Sequence, residues 1–147
     1  MKVKIKKLSE NAVIPSYAKP GDAGMDLTAV TYKYDAENHC HIYGTQLAFE
    51  IPEGYVGLVF PRSSNRKTEC YMANHVGIID SGYRGEVIVS FKNRDNLLYT
   101  MDDAAPYQLK DRIAQIIIMP YPIIELELVD KLSETERGEG GHGSTGN

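Results

Sequence analysis

The chain has 147 residues, 42% hydrophobic and 24% charged, which suits one globular domain burying roughly 70% of its unfolded surface and excludes a disordered or fibrous class. Its formal charge of −4 excludes a general nucleic-acid binder, which needs a basic face, so any positive charge for a phosphorylated ligand has to be local. No apolar run reaches the ~18 residues of a membrane span, residues 1–7 alternate lysine with Val3 and Ile5 instead of forming a signal core, and Cys40 and Cys70 make no disulfide framework; a cytoplasmic protein is expected.

Short apolar segments of period two, broken by glycine, proline and aspartate, predict an all-β chain. Val3 and Ile5 open it. Leu47, Phe49 and Ile51 share a face of a strand that Pro52-Glu53-Gly54 ends, and residues 55–60 form the next strand. Residues 76–79 and 86–91, joined by Asp80-Ser81-Gly82-Tyr83-Arg84-Gly85, are expected to pair as a hairpin. Residues 113–119 are almost continuously apolar, as in a strand buried on both faces, and beyond Pro120 and Pro122 the alternation of Ile124, Leu126 and Leu128 with Glu125 and Glu127 predicts one more strand. No helical stripe of ten residues occurs, although residues 96–105 suit a short turn. Strands at this spacing indicate a sandwich, jelly roll or barrel. After Leu132 no large apolar residue occurs, so the chain divides into a β domain, residues 1–132, and a glycine-rich tail, residues 133–147.

Five groups of residues bear on chemistry. In the tail, Arg137 is followed by Gly138, Gly140, Gly141, His142, Gly143, Ser144 and Thr145; glycines let backbone N–H groups converge on an anion while arginine and hydroxyls add donors, and the same composition suits a solvated tail. It is no Walker A loop, since no lysine precedes Ser144. At a strand end, Arg62, Ser63 and Ser64 offer a guanidinium and two hydroxyls to phosphate oxygens, or form an ordinary turn. Asp80, flanked by Tyr83 and Arg84, can orient and deprotonate a water or cap its own backbone. Asp26 is a second acidic candidate. His39, Cys40 and His41, with Cys70 and His75, match no common zinc spacing, because His39 and His41 would share a strand face that Cys40 opposes.

Taken in chain order and together with residues 111–115, the segments around Asp26, Arg62 and Asp80 and the tail resemble the five motifs of the trimeric deoxyuridine triphosphate nucleotidohydrolases, or dUTPases. The matching stretches are Ala23-Gly24-Met25-Asp26-Leu27, Pro61-Arg62-Ser63-Ser64, the run from Asn74 through Asp80 to Glu86, Asp111-Arg112-Ile113-Ala114-Gln115, and the tail from Arg137 to Gly146. The resemblance implies a jelly-roll-like β fold, a homotrimer with active sites shared between subunits, and Mg2+-dependent hydrolysis of dUTP to dUMP and pyrophosphate. Asp80 would activate the attacking water; Arg62, Ser63, Ser64 and Gln115 would hold the phosphates; Asp26 would anchor waters around Mg2+. The Asn74 amide with the backbone at Gly77 and Ile79 would read uracil, Tyr83 would sit under the deoxyribose, and Arg137, His142, Gly143, Ser144 and Thr145 would close over the ligand. His142 stands where the family usually has phenylalanine, Lys110 where it has glycine, and Gly82 where an acidic residue is common. A dCTP deaminase of the same fold would need glutamate at Ser90 and arginine at Lys67. A nucleotide-gated regulatory protein with a protein partner is the alternative from another class.

Overall fold

A computed structural model describes residues 1–94 and 105–141. The described residues form ten strands, β1 (Lys4–Lys7), β2 (Met25–Thr28), β3 (Thr31–Asp35), β4 (Cys40–Gly44), β5 (Leu47–Glu50), β6 (Tyr55–Pro61), β7 (Cys70–Met72), β8 (Gly77–Ile79), β9 (Ile88–Asn93) and β10 (Arg112–Pro120). One 3-10 turn, Ser63–Lys67, interrupts them, and no α-helix occurs among the described residues. Strands β2-β10-β6-β8 make one sheet, β3-β4-β9-β7 a second, and β1-β5 a short third. Every pairing is antiparallel. Period-two alternation sends Val87, Val89 and Phe91 inward, to join Leu27, Tyr43, Leu47, Phe49, Ile51, Ile113 and Ile116 in one core.

Three expectations need correcting. Strands β8 and β9 do not form a hairpin: β8 pairs with β6 at the rim of one sheet, and β9 pairs with β4 and β7 in the other. The connection from residue 80 to 87 therefore crosses between sheets, because Val87 must enter the core and its N–H donates to Leu47 O at 2.9 Å. The expected double burial of β10 holds only in its first half; Ile113, Ala114 and Ile116 are buried, but Met119 is exposed where the sheet runs out. Residues 124–128 form no strand, and Leu126 and Leu128 are 88% and 100% exposed. Among the described residues they pair with no strand. Most of the span expected to hold a short turn near residue 100 lies outside the described residues.

Candidate active site

The register of the first sheet assembles half of the site. Asp26 on β2 lies directly opposite Gln115 on β10, which lies opposite Phe60 on β6. Opposed residues share a face, so this row brings Asp26 and Gln115 together, and Arg62 follows two residues after Phe60. A register irregularity between Arg112 and Ala114 lets Arg112 join them. Asp26 Oδ1 accepts from Arg62 Nε at 2.7 Å, and its Oδ2 accepts from Arg112 Nη1 at 3.0 Å and Arg62 Nη2 at 3.4 Å. Arg62 Nη1 also donates to Ser64 Oγ at 3.1 Å and to Arg112 O at 3.3 Å. Gln115 Nε2 is held by Pro61 O at 3.1 Å. Gly24 lets the Gln115 amide lie close to the backbone, since a Cβ there would stand 2.6 Å from Gln115 Oε1 and force that side chain to move.

Asp26, Arg62, Arg112 and Gln115 line a concavity of about 410 Å3 with Ser63 and Asp22. It presents two guanidiniums, from Arg62 and Arg112, against two carboxylates, from Asp22 and Asp26. The arrangement is an anion clamp whose own charge is balanced. Both Asp26 oxygens already face guanidinium, so this carboxylate suits a water-mediated role toward a cation better than direct ligation, and no group of three His, Cys, Asp or Glu side chains able to hold a metal occurs among the described residues.

The other half lies in a separate concavity of about 210 Å3 lined by Ile78, Ile79, Asp80, Tyr83, Glu86 and Ile88. Asp80 is exposed at the end of β8, where its carbonyl accepts from Tyr83 N at 3.1 Å. The carboxylate itself has no hydrogen-bond or ion-pair partner among the described residues. Tyr83 is pinned by its hydroxyl, which donates to Glu86 O at 3.0 Å, and Arg84 Nη1 donates to Ser81 O at 2.6 Å and Tyr83 O at 2.9 Å. The Glu86 carboxylate fixes the loop's base by accepting from Gln46 N and Gln46 Nε2, both at 2.8 Å. Gly77 is buried, with room for no larger residue than the neighbouring Asn74 amide permits: a Cβ would lie 3.3 Å from Val59 Cβ and 3.4 Å from Asn74 Nδ2.

The fold thus gathers Asp26, Arg62, Ser63, Ser64 and Gln115 in one place and Asp80, Ile79 and Tyr83 in another, near Asn74 and Gly77. The two concavities share no lining residue. Arg137 lines neither; it is exposed, and its Nε donates to Gly140 O at 2.9 Å within a local turn. His142, Gly143, Ser144 and Thr145 lie outside the described residues. Of the histidine–cysteine group, His39 occupies an exposed turn at φ +52°, while Cys40 and His41 are both buried in β4, where His41 Nδ1 lies 3.1 Å from the Tyr32 hydroxyl. Lys110, in the family's glycine position, keeps a glycine-type backbone with φ +77°. Sequence reasoning assigned no role to Arg112, Glu86, Asn65 or Tyr107, although the first two lie inside the recognised motifs.

A family model described as dUTPase matches residues 10–146. A deoxyuridine 5'-triphosphate nucleotidohydrolase of Nautilia profundicola is 42% identical over 147 residues, covering 99% of each chain. Among solved structures, the dUTPase of Staphylococcus bacteriophage 80alpha with dUPNHPP aligns over 99% of both chains with TM-score 0.78 and 30% identity, and is described in terms of phage dUTPases that control transfer of virulence genes. A dUTPase variant from phage phi11 of S. aureus, described as revealing coordination of a structural Mg(II) ion, has TM-score 0.70 and 28% identity over 89% of this chain and 98% of that one. The architecture is the all-β jelly roll of these proteins. The chain belongs to the dUTPase family.

Proposed function

We propose that the chain hydrolyses dUTP to dUMP and pyrophosphate, removing dUTP and supplying dUMP for thymidylate synthesis in the cytoplasm. The observation that carries this reading is the Asp26–Arg62–Gln115 row, a preformed phosphate clamp in the family's motif order, paired with the unencumbered Asp80 carboxylate. Arg62, Ser63, Ser64 and Gln115 hold phosphate oxygens in fixed positions, so little reorganisation is required as charge develops. Asp80 takes a proton from the attacking water at the α-phosphorus. Asn74, the backbone at Gly77 and Ile79, and Tyr83 read the base and sugar. Mg2+ fits as an ion carried by the triphosphate, with Asp26 ordering its waters; when bound it neutralises phosphate charge.

The site is completed by neighbouring copies of the chain. The clamp and the Asp80 loop open into different concavities, and residues 121–132 expose an apolar stripe with no partner edge, both of which support a homotrimer. Residues 133–147 act as an arm over a neighbouring subunit's site, with Arg137, His142, Gly143, Ser144 and Thr145 closing on the nucleotide.

The test is pyrophosphate release across dUTP, UTP, dTTP and dCTP, with Asp80→Asn as the diagnostic variant. The amide of that variant cannot accept the proton, so the rate should fall by about 10²- to 10⁴-fold while binding of dUpNHpp persists. More than a tenth of the wild-type rate would remove Asp80 as base, and ammonia release from dCTP would favour a deaminase. The description of the 80alpha relative in virulence-gene transfer supports a second reading, a nucleotide-gated regulatory protein. Wild-type protein that binds dUTP without releasing pyrophosphate would favour it.

A further inference from the structure

The loop carrying Arg62 has little to hold it locally. It is the 3-10 turn Ser63–Lys67, whose N-terminal flank at Arg62 makes no side-chain capping bond and whose single buried residue is Asn65. A five-residue 3-10 segment has poor hydrogen-bond geometry and no persistence of its own. Apart from the Arg62 guanidinium, which Asp26 and Arg112 O hold, its one buried anchor is Asn65.

Asn65 is gripped on both ends of its amide. Its Nδ2 donates to Cys70 O at 3.1 Å, and its Oδ1 accepts from the Tyr107 hydroxyl at 2.9 Å and from Thr68 Oγ1 at 3.3 Å. Tyr107 is gripped in turn by the fully buried Tyr43. Its N–H donates to the Tyr43 hydroxyl at 3.0 Å, and that hydroxyl donates to Tyr107 O at 2.8 Å. From Tyr107 the chain runs directly to Arg112 through a turn closed by Gln108 N donating to Asp111 Oδ2 at 2.8 Å, itself tied to β2 by Ala29 N donating to Asp111 O at 2.9 Å. Both arginines that share Asp26 thus leave segments joined at one phenol. Burial pushes the pKa of both phenols up, that of Tyr43 to about 12, and both are protonated hydrogen-bond donors at neutral pH.

We propose that Tyr107, fixed by Tyr43 and bonded to Asn65, is a positioning residue that sets the Arg62–Ser64 phosphate clamp relative to Arg112. The inference rests on the hydrolase reading and deepens it. Ångström-scale misplacement of a clamp degrades ligand alignment even when every contacting side chain is retained.

The experiment compares wild type, Tyr107→Phe, Asn65→Leu, the double variant, and Phe49→Leu as a core variant on β5, whose cross-strand partner is Ile5 on β1. Equilibrium binding of dUpNHpp and steady-state hydrolysis of dUTP are measured well below each variant's melting temperature. Tyr107→Phe keeps the ring, which packs 5.1 Å from Phe91 centroid to centroid. It should raise the dUpNHpp Kd and the dUTP KM about fivefold to tenfold while leaving kcat within about threefold, the pattern of lost binding shared by ground and transition states. The double variant should be no worse than Asn65→Leu alone, and Phe49→Leu should leave KM unchanged. An unchanged Kd in Tyr107→Phe, or effects that add in the double variant, would overturn the proposal. The Kd comparison judges Tyr107 by itself, whereas pyrophosphate release by wild type judges the hydrolase reading.

Discussion

Replacing Asp26 by asparagine tests the clamp at its charge centre. The side chains of Asp26 and Arg62 are 24% and 23% exposed and meet at 2.7 Å, whereas Arg112 is 58% exposed. A buried pair costs about 3–5 kcal/mol when one partner is lost, and an exposed pair about 0–1 kcal/mol. The Arg62 contact lies between these limits, and asparagine still accepts through Oδ1, so about 2 kcal/mol is expected from Arg62 and below about 1 kcal/mol from Arg112. For a chain of this length that total lowers Tm by roughly 4–12 °C. Thermal unfolding at one fixed protein concentration measures it, because assembly would otherwise shift Tm by mass action. Arg112→Gln alone should cost less than half as much. The dUTP KM should rise in Asp26→Asn, since the Nε edge of Arg62 loses its fixed carboxylate. A loss below about 0.5 kcal/mol, the ordinary range of surface substitutions, would show that the guanidiniums are oriented by something other than Asp26.

Two further predictions concern the scaffold. Lys110 holds φ +77° while its N–H donates to Ala29 O at 2.8 Å, so Lys110→Gly keeps that bond, relieves left-handed strain and should stabilise by about 0.5–1 kcal/mol in urea unfolding after the entropy of the unfolded glycine is subtracted; an unchanged or lower midpoint would contradict the strain. Burial pushes Tyr43 up to about 12 from an ordinary value of 10.0, so between those two pH values the folded state holds a proton that the unfolded state has released. Stability present below pH ~10 should then fall by up to about 2–3 kcal/mol as pH rises toward 12, and urea unfolding of Tyr43→Phe should show a shallower alkaline decline; equal slopes would assign the effect elsewhere.

Local patterning made individual strands legible and left their partners hidden. Leu47 and Phe49 announce a strand because alternate residues meet one core, and the Asp80 turn is announced by Asp-Ser-Gly. Whether Gly77–Ile79 pairs with Ile88–Asn93 depends on which edges β6 and β4 offer, and those strands are set by distant sequence. The alternation of Ile124 with Leu126 and Leu128 reads as a strand for the same reason that it remains unpaired here: period two specifies a face, not a partner. In the site, the motif residues Asp26, Arg62 and Gln115 could be named, but the Asp26–Arg112 contact spans 86 positions and the Tyr107–Asn65 contact 42. Neither spacing follows a helical or strand period. Exposed tyrosines and asparagines are common in loops, so nothing local marked Asn65 as buried or Tyr107 as its half-buried partner.

The charge of the clamp determines what the nucleotide must bring with it. A chain of net charge −4 needs local positive potential to hold a polyanion, yet the concavity sets Arg62 and Arg112 against Asp22 and Asp26. The clamp therefore supplies directed donors and shape rather than surplus charge, and the excess negative charge of a triphosphate has to be met by groups that arrive with it or close over it. Under the proposed function, Arg137 of the arm would be one such group and Mg2+ the other. Because the described residues contain no three-ligand metal cluster and Asp26 is already committed to two guanidiniums, Mg2+ should join as the nucleotide complex. Calorimetric titration of Mg2+ into nucleotide-free protein should show no saturable heat, whereas titration in the presence of dUpNHpp should. Removing the metal with chelator should weaken dUpNHpp binding more strongly in wild type than in Asp26→Asn, where one carboxylate no longer opposes the phosphates. Tight Mg2+ binding to the nucleotide-free protein would refute this assignment of charge, and equal chelator effects in the two proteins would separate Asp26 from the metal.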